Sequence, residues 1–465
     1  MTNLEMLEGI DADLLQTYDT RVPRYTSYPT APQWDAAFTE SDYRDHLGAL
    51  PPNSRLSLYV HLPFCLERCT FCGCNVVISK RRSISDDYLD SIEQEADLLR
   101  AAIPAGVEIA QLHWGGGTPN YLPPNEMRRL HAVITDRFPI AEHAEIALEL
   151  DPRHLTDAQI ATLAELGFNR ASLGVQDTSE RVQQAVNRIQ PSECVQRSID
   201  GLRAAGFNGI NVDLIYGLPH QTLESWGRTL DEMVDFKPDR VAMYGFAFLP
   251  EKLRQQVKLD SDTLPDTRAR FELFLAGLRW FTEHGYSHIG MDHFATPTDE
   301  LSTALREHSL RRNFMGYTTL AGTEGVCLGT SAIAQLSRCF AQSDKHLASY
   351  RRSVAAGRLP IDRGMTLSRD DEIRSAVIHE LMCFSALDTS RIEARFDGLD
   401  FTAYFADECA QLKPLERDGL LHHDGPVIRT SKLGQILLRN IASVFDAYLG
   451  KKSPGGASTV YSRTV

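Results

Sequence analysis

No uninterrupted apolar run in this chain approaches the roughly 18 residues that a membrane-spanning helix needs, so no membrane insertion is expected. An excess of positive charge is also missing. The 48 Lys and Arg stand against 62 Asp and Glu, for a formal net charge of -14. That balance argues against general nucleic-acid or anionic-membrane binding, both of which need a sizeable basic surface. The basic-then-apolar opening of a secretory signal is absent as well, since Met1 to Leu15 carries Glu5, Glu8, Asp11 and Asp13. A cytoplasmic protein is therefore expected. There is no internal repeat, and with 43% hydrophobic and 24% charged residues there is no bias toward disorder. A chain of 465 residues buries a large core and suggests two or three domains.

What the chain does have is nine cysteines, four of them within Cys65-Leu66-Glu67-Arg68-Cys69-Thr70-Phe71-Cys72-Gly73-Cys74. In a cytosolic chain such clustering means metal or redox chemistry rather than a disulfide framework. Cys194, Cys327, Cys339, Cys383 and Cys409 are scattered and read as small buried hydrophobes. Cys65, Cys69 and Cys72 place three thiols around one loop. Zinc normally takes four ligands in two paired knuckles, and Cys72 to Cys74 is too short for an easy second pair. Three thiolates instead leave one iron of a four-iron cluster open, with zinc and unligated thiols as the alternatives.

Residues 1–54 hold Pro23, Pro29, Pro32, Pro51 and Pro52 without a long periodic segment and read as an arm. From Leu56, strand-like runs alternate with amphipathic helical segments. The runs are 56–60, 109–114, 145–150, 170–175, 209–215 and 240–246, with a further one at 287–291. Helices are predicted at 86–102, 124–138, 157–166, 191–206, 222–236 and 266–284. In the first of these Tyr88, Ile92, Ala96 and Leu99 form the apolar face and Ser85 the cap. Such alternation implies an α/β fold with a parallel sheet, doubly wound or curled into a barrel short of eight strands. In either case ligands collect at the C-terminal ends of the strands, where Cys65, Gly115, Glu149, Gln176, Asp213 and Ala247 lie.

Periodicity weakens over 295–330, and 55–363 reads as the barrel with its covering segments. Residues 364–450 read as a small, mostly helical, winged-helix-like domain with one hairpin about Asp424-Gly425, and 451–465 as a flexible tail.

Cys65, Cys69 and Cys72, following Tyr59-Val60-His61-Leu62-Pro63-Phe64, resemble the signature of the radical S-adenosylmethionine (SAM) superfamily. Cys74 in Cys-Gly-Cys-Asn, Gly290-Met291-Asp292-His293-Phe294-Ala295 and Gly316-Tyr317-Thr318-Thr319 narrow the resemblance to the oxygen-independent coproporphyrinogen III oxidases (dehydrogenases). The match runs from about Tyr25 to the end of the chain. It implies a partial (β/α)6 radical SAM barrel, an N-terminal arm and a helical C-terminal domain. It also implies a monomer holding one 4Fe-4S cluster on Cys65, Cys69 and Cys72 and two SAM molecules.

The implied activity is oxidative decarboxylation of two propionates of coproporphyrinogen III to vinyl groups, giving protoporphyrinogen IX, with an unidentified electron donor and acceptor. Among the implied catalytic residues, Tyr59 and Glu149 lie by the cluster and the first SAM, and Cys74 is close to the active site. Gly116, Gly117 and Thr118, in the run Gly115-Gly116-Gly117-Thr118-Pro119, are implied to hold the methionine portion, with Ile333 on the same side. Phe71, Gln176, Arg188, Asp213 and Ala247 are implied to line the second SAM. A tetracarboxylate needs cations, for which Arg21, Arg24, Lys80, Arg81, Arg82, Arg311, Arg312 and Arg463 are candidates. One departure stands out, since Met315 occupies a position where the family has Gln, and a thioether cannot donate a hydrogen bond. The alternative functions are a haem-binding chaperone and a radical SAM enzyme acting on haem itself.

Overall fold

The computed structural model describes residues 12–451 and 461–464. Among them no helix is long and apolar enough to cross a membrane. They form two compact units.

The larger unit comprises Asp35–Pro265 and Gly322–Thr366. Six strands run parallel and side by side in chain order: β1 (Arg55–Leu62), β2 (Glu108–Gly116), β3 (Ile140–Leu150), β4 (Arg170–Gln176), β5 (Gly209–Tyr216) and β6 (Arg240–Gly245). This is the expected partial (β/α)6 arrangement. Because side chains alternate along a strand, the sheet has two different faces. One face carries Leu58, Leu112, Leu148, Leu173 and Val212, all fully buried. The other carries Ser57, Tyr59, Gln111, His113, Glu145, Glu149, Ser172 and Asp213, joined by bonds such as Ser57 Oγ to Gln111 Oε1 at 2.6 Å and Gln111 Nε2 to Glu145 Oε1 at 2.7 Å. The strand ends therefore carry polar groups on one side only.

On the other edge β1 pairs in parallel with β7 (Glu324–Leu328). Beyond it β8 (Ile333–Leu336), β9 (Cys339–Ser343) and β10 (Ile361–Thr366) follow as an antiparallel meander that the weak periodicity of this stretch did not announce.

The helix predicted from 86 runs Ser83–Ala102, with Tyr88, Ile92 and Ala96 fully buried. Ser85 is not its cap. That hydroxyl is buried one turn in and donates to the Arg82 carbonyl at 2.7 Å rather than accepting a first-turn N–H. The segment predicted at 222–236 is two helices, Leu223–Asp231 and Met233–Phe236.

The second unit gathers the described parts of Met1–Trp34, Asp266–Ala321 and Leu367–Val465. The grouping departs from boundaries at 54 and 363, and its cause is a shared core. Phe271 of helix Thr267–Glu283 and Tyr25 and Tyr28 of the arm pack with Ile373, Val377, Leu381 and Phe405. Helix Arg369–Phe384 opens with a capping box, Ser368 and Asp371 each bonding the other's backbone N–H. Strands Ala386–Asp388, Val427–Thr430 and Leu421–Asp424 make a small antiparallel sheet, and Ser431 caps helix Lys432–Ile436. The expected hairpin is thus present, with Ala386–Asp388 as a third strand. The run at 287–291 is Ser287–Gly290, in an antiparallel hairpin with His293–Ala295.

Of the tail, 452–460 and 465 lie outside the described residues, as do the acidic residues 1–11 at the other end. Residues 461–464 lie along the arm, where Arg463 pairs with Asp19 at 2.7 Å and bridges Arg21.

Candidate active site

The four-cysteine loop begins where β1 ends. Phe64–Cys65 pairs in parallel with Val77–Ile78, which clamps the two ends of the loop together. Its crown is tied across to a neighbouring turn by Thr70 N–H to the Val186 carbonyl at 3.0 Å and by Asn187 Nδ2 to the Arg68 carbonyl at 2.9 Å. All four cysteines are free thiols. They line one cavity of about 160 Å³ together with Phe71, Gly116, Gly117, Thr118, Glu149, Gln176, Arg188 and Asp213. Twelve of the residues singled out in the sequence thus meet in one place, at the C-terminal ends of β1–β5. Tyr59, Ala247 and Ile333 are not among the lining residues. The Ala247 carbonyl accepts from Gln256 Nε2 at 2.9 Å, and Ile333 pairs with Gln342 in the β8–β9 ladder.

The thiols differ in their surroundings. Cys65 Sγ lies 3.3 Å from Thr118 Oγ1, and Cys69 Sγ accepts from Arg188 Nη1 at 3.6 Å. Burial pushes the Cys65 thiol up to about 11. The bond from Cys74 holds the Cys72 thiol below its ordinary range, with help from Arg68 and Arg188, and the same bond raises Cys74. Among the described residues no three His, Cys, Asp or Glu converge as one metal ion requires. A four-iron cluster spreads its thiolates over separate irons and takes hydrogen bonds to its sulfurs, which this donor set fits.

Behind the loop, Tyr59 stacks on His113 with centroids 5.9 Å apart, and its hydroxyl is 3.2 Å from His61 Nδ1. The other ring nitrogen of His61 lies 3.0 Å from the Asn75 carbonyl, which only accepts. Nε2 therefore carries the proton, and Nδ1 accepts from Tyr59. Glu149 Oε2 accepts the Gly116 N–H at 2.9 Å, with His113 Nε2 3.6 Å from Oε1. Its low-dielectric surroundings would raise this carboxyl, but His113 and the Gly116 N–H outweigh them and hold it below the usual range, so it is ionised at neutral pH.

The glycine run has a reason internal to the protein. A Cβ at Gly115 would stand 2.9 Å from the Glu149 carboxyl, and one at Gly117 would stand 2.6 Å from the Pro63 backbone. Gly116, at φ +109°, would meet the His61 ring at 2.5 Å.

Across the cavity Arg188 is 8% exposed. Its Nη1 lies 3.2 Å from Asp151 Oδ2, its Nη2 donates to the Gly174 carbonyl at 2.7 Å, and its Nε has no partner among the described residues. Asp151 also binds Arg153 at 2.6 Å. Burial opposes its charge, but the two guanidiniums prevail and bring it down to about 2. Asp213 accepts from Asn211 at 2.8 Å and from Ser172 at 3.2 Å, yet burial and the Glu149 charge push it up to about 7. Gln176 sits at φ +70° where the β4–β5 register shifts, and Phe71 packs on the cluster of Val182, Val186 and Ile215.

His61, His113, Asp151 and Arg153 were not singled out from the sequence, although they hold Tyr59, Glu149 and Arg188 in place. Their signal was positional. Asp151 and Arg153 follow Glu149 at steps of two, and His61 and His113 share the polar strand face with Tyr59.

Comparison with known proteins gives consistent matches. The Radical SAM superfamily model matches residues 59–233, and the HemN C-terminal domain model matches 367–437. The chain is 42% identical over 447 residues to the oxygen-independent coproporphyrinogen III oxidase of Synechocystis, covering 95% of this chain and 96% of that one. To its Escherichia coli counterpart it is 42% identical over 443 residues, with the same coverage of 95% and 96%. The solved structure of coproporphyrinogen III oxidase (HemN) from Escherichia coli, described as a radical SAM enzyme, superposes with a TM-score of 0.90. The identity there is 41%, covering 94% of this chain and 99% of that one.

Proposed function

The chain belongs to the oxygen-independent coproporphyrinogen III oxidases of the radical SAM superfamily, and from that membership we propose how its own residues divide the work. It is an oxidoreductase of anaerobic haem biosynthesis that converts two propionates of coproporphyrinogen III to vinyl groups, using a 4Fe-4S cluster and SAM. When bound, the cluster and SAM supply an electron and a 5'-deoxyadenosyl radical that removes one hydrogen atom from a propionate side chain. The substrate then loses carbon dioxide and one electron to leave the vinyl group, and two rounds give protoporphyrinogen IX.

Cys65, Cys69 and Cys72 hold the cluster, with Thr118 and Arg188 donating toward the sulfurs of Cys65 and Cys69. Glu149, ionised and fixed by the Gly116 N–H, offers a carboxylate to the cationic end of the first SAM. Gly116, Gly117 and Thr118 form the wall beside it. Tyr59 acts through its contacts with His61 and His113. Phe71, Gln176, Arg188 and Asp213 bound a second SAM, for which the unpartnered Nε of Arg188 is a donor in reserve. Ala247 and Ile333, which the resemblance assigns to the second and the first SAM site, are not among the residues that line this cavity. Cys74, which lines the same cavity, stands outside the ligand set and acts close to the active site. A monomer supplied by a separate electron donor and acceptor, in a reducing cytoplasm, suits nine free thiols.

The observation that carries this reading is the convergence of three thiols, an ionised Glu149 and Arg188 on one cavity at the strand ends. Anaerobic incubation of the reconstituted protein with SAM, a reductant and coproporphyrinogen III should yield protoporphyrinogen IX and 5'-deoxyadenosine. Absence of both products would sink the reading. Haem titration of the same sample separates a chaperone.

A further inference from the structure

The motifs around Asp292 and Tyr317 lie in the second unit and are not used by the cavity described above. They build a second feature. Strands Arg311–Asn313 and Gly316–Thr318 form a tight hairpin, closed by the Met315 N–H donating to Asn313 Oδ1 at 2.9 Å. Arg312 stands directly opposite Tyr317, so the two side chains share a face, whereas Arg311 pairs with Thr318 on the other. The Tyr317 ring is fixed by its hydroxyl donating to the Met382 carbonyl at 2.7 Å. Gly290 makes room for it, since a Cβ there would lie 2.4 Å from that hydroxyl. The Arg312 guanidinium lies over the ring at 4.6 Å.

Arg312 is 8% exposed, and among the described residues neither its Nε nor its Nη1 has a hydrogen-bond partner. The nearby acids are already engaged. Asp292 is taken by Arg24 and by His293 Nδ1 at 2.9 Å, and Glu380 is held by His308 at 3.2 Å. Other candidate cations are satisfied as well: Arg82 by the Tyr121 carbonyl, Arg463 by Asp19, and Arg21 by the Tyr461 carbonyl at 3.5 Å. Arg24 and Arg311 add further positive charge near Arg312, as the lowered titration of His293 and His379 registers alongside burial. A buried cation without a counter-charge is costly in any protein, and here the chain itself is strongly acidic. What the group lacks is an anion from outside the chain, and a planar fork of N–H donors fits a carboxylate.

We propose that Arg312, oriented by Tyr317, is a specificity residue that receives a propionate carboxylate of the porphyrinogen. This rests on the functional reading above, which supplies a substrate with four carboxylates. SAM also carries a carboxylate, so the test has an arm for each source.

The test measures binding of coproporphyrin III, the stable oxidised ring with the same four propionates, to the reconstituted holoenzyme by fluorescence quenching. Its tetramethyl ester is measured in parallel. Arg312→Gln should weaken the tetracarboxylate about tenfold or more, as loss of a charged hydrogen bond does, and leave the ester unchanged. Iron content, SAM affinity and the KM for SAM should stay at wild-type values while the KM for coproporphyrinogen III rises. Equal affinities of both proteins for the tetracarboxylate, or a loss confined to SAM, overturn the proposal. Should Arg312→Gln fail to fold by circular dichroism, Arg312→Lys carries the test. It keeps the charge but not the fork, and a severalfold loss limited to the tetracarboxylate is expected, with no loss counting against the proposal. Wild-type protein that binds the tetracarboxylate through Arg312 but does not decarboxylate it would contradict the functional reading alone. Wild-type protein that binds no porphyrin overturns both.

Discussion

Cys69 and Cys74 belong to one loop but face different tasks. Cys69 is buried, accepts from Arg188, and has its neighbour Thr70 tied to the Val186 carbonyl, so its sulfur is presented by a fixed backbone. Cys74 is exposed and has no comparable backbone anchor or donor at its sulfur among the described residues. Cysteine-to-alanine changes remove one soft ligand and little packing at either position. After anaerobic reconstitution, Cys69→Ala should lose the brown absorption and most of its iron, while Cys74→Ala should keep both. Iron lost equally from the two variants would return Cys74 to the ligand set. The sequence showed the cysteines by their spacing alone, because ligand spacing along a loop is a local property. It could not show the triad of Asp151, Arg153 and Arg188, in which 37 positions separate Arg188 from the carboxylate it meets.

At the scale of elements, the end of β2 is where backbone conformation and site geometry constrain each other. Gly116 combines φ +109° with a His61 ring 2.5 Å from any added Cβ, whereas Gly206, at φ +94°, has nothing within 4 Å. Both substitutions by alanine pay the backbone cost, on the order of 1 kcal/mol, but only Gly116→Ala must also displace His61 and strain the Gly116–Glu149 bond. Gly116→Ala should therefore lose more stability than Gly206→Ala by about 1 kcal/mol or more in anaerobic thermal unfolding, and it alone should weaken SAM binding. Equal losses would mean that the contact with His61 is not limiting.

The parallel strands were legible because runs such as Leu56 to Val60 are short, apolar and followed by a helical period. Their second face was not, because Tyr59, His113, Glu149 and Asp213 come from four separate strands and become one polar surface only when the register aligns them. The β7–β10 meander escaped notice for a related reason. Its strands are short, and β7 joins the sheet beside β1, some 268 positions away between Leu56 and Glu324, a pairing that no local pattern reports.

For the molecule as a whole, several buried acids make stability depend on pH in a definite direction. Burial raises Glu95 to about 7, although Tyr350 and the Gly329 N–H both donate to it, and it raises Asp213 to about 7 and Asp177 to about 6. An acid whose folded value exceeds its unfolded one holds its proton more tightly in the folded state. Its contribution to stability is complete below the unfolded value, near 4, and is lost as pH rises through the folded value. Asp151 has the opposite sign: brought down to about 2, it contributes above about 4 and is lost only as pH falls toward 2. Between pH 5 and 8 the raised acids therefore lose their contribution, while buried histidines such as His379, lowered to about 3, gain theirs as pH rises toward 6.5, so each group is read by its own variant. Glu95 isolates the effect, because both of its bonds fall on the same oxygen, Oε2, at 2.7 Å and 2.6 Å. A glutamine keeps that acceptor and has no proton to lose. Glu95→Gln should remove about 3 kcal/mol of loss between pH 5 and 8, so its melting temperature relative to the wild type should rise as pH goes from 5 to 8. A variant whose difference in melting temperature from the wild type is the same at pH 5 and pH 8 would show that Glu95 is not a group that titrates there.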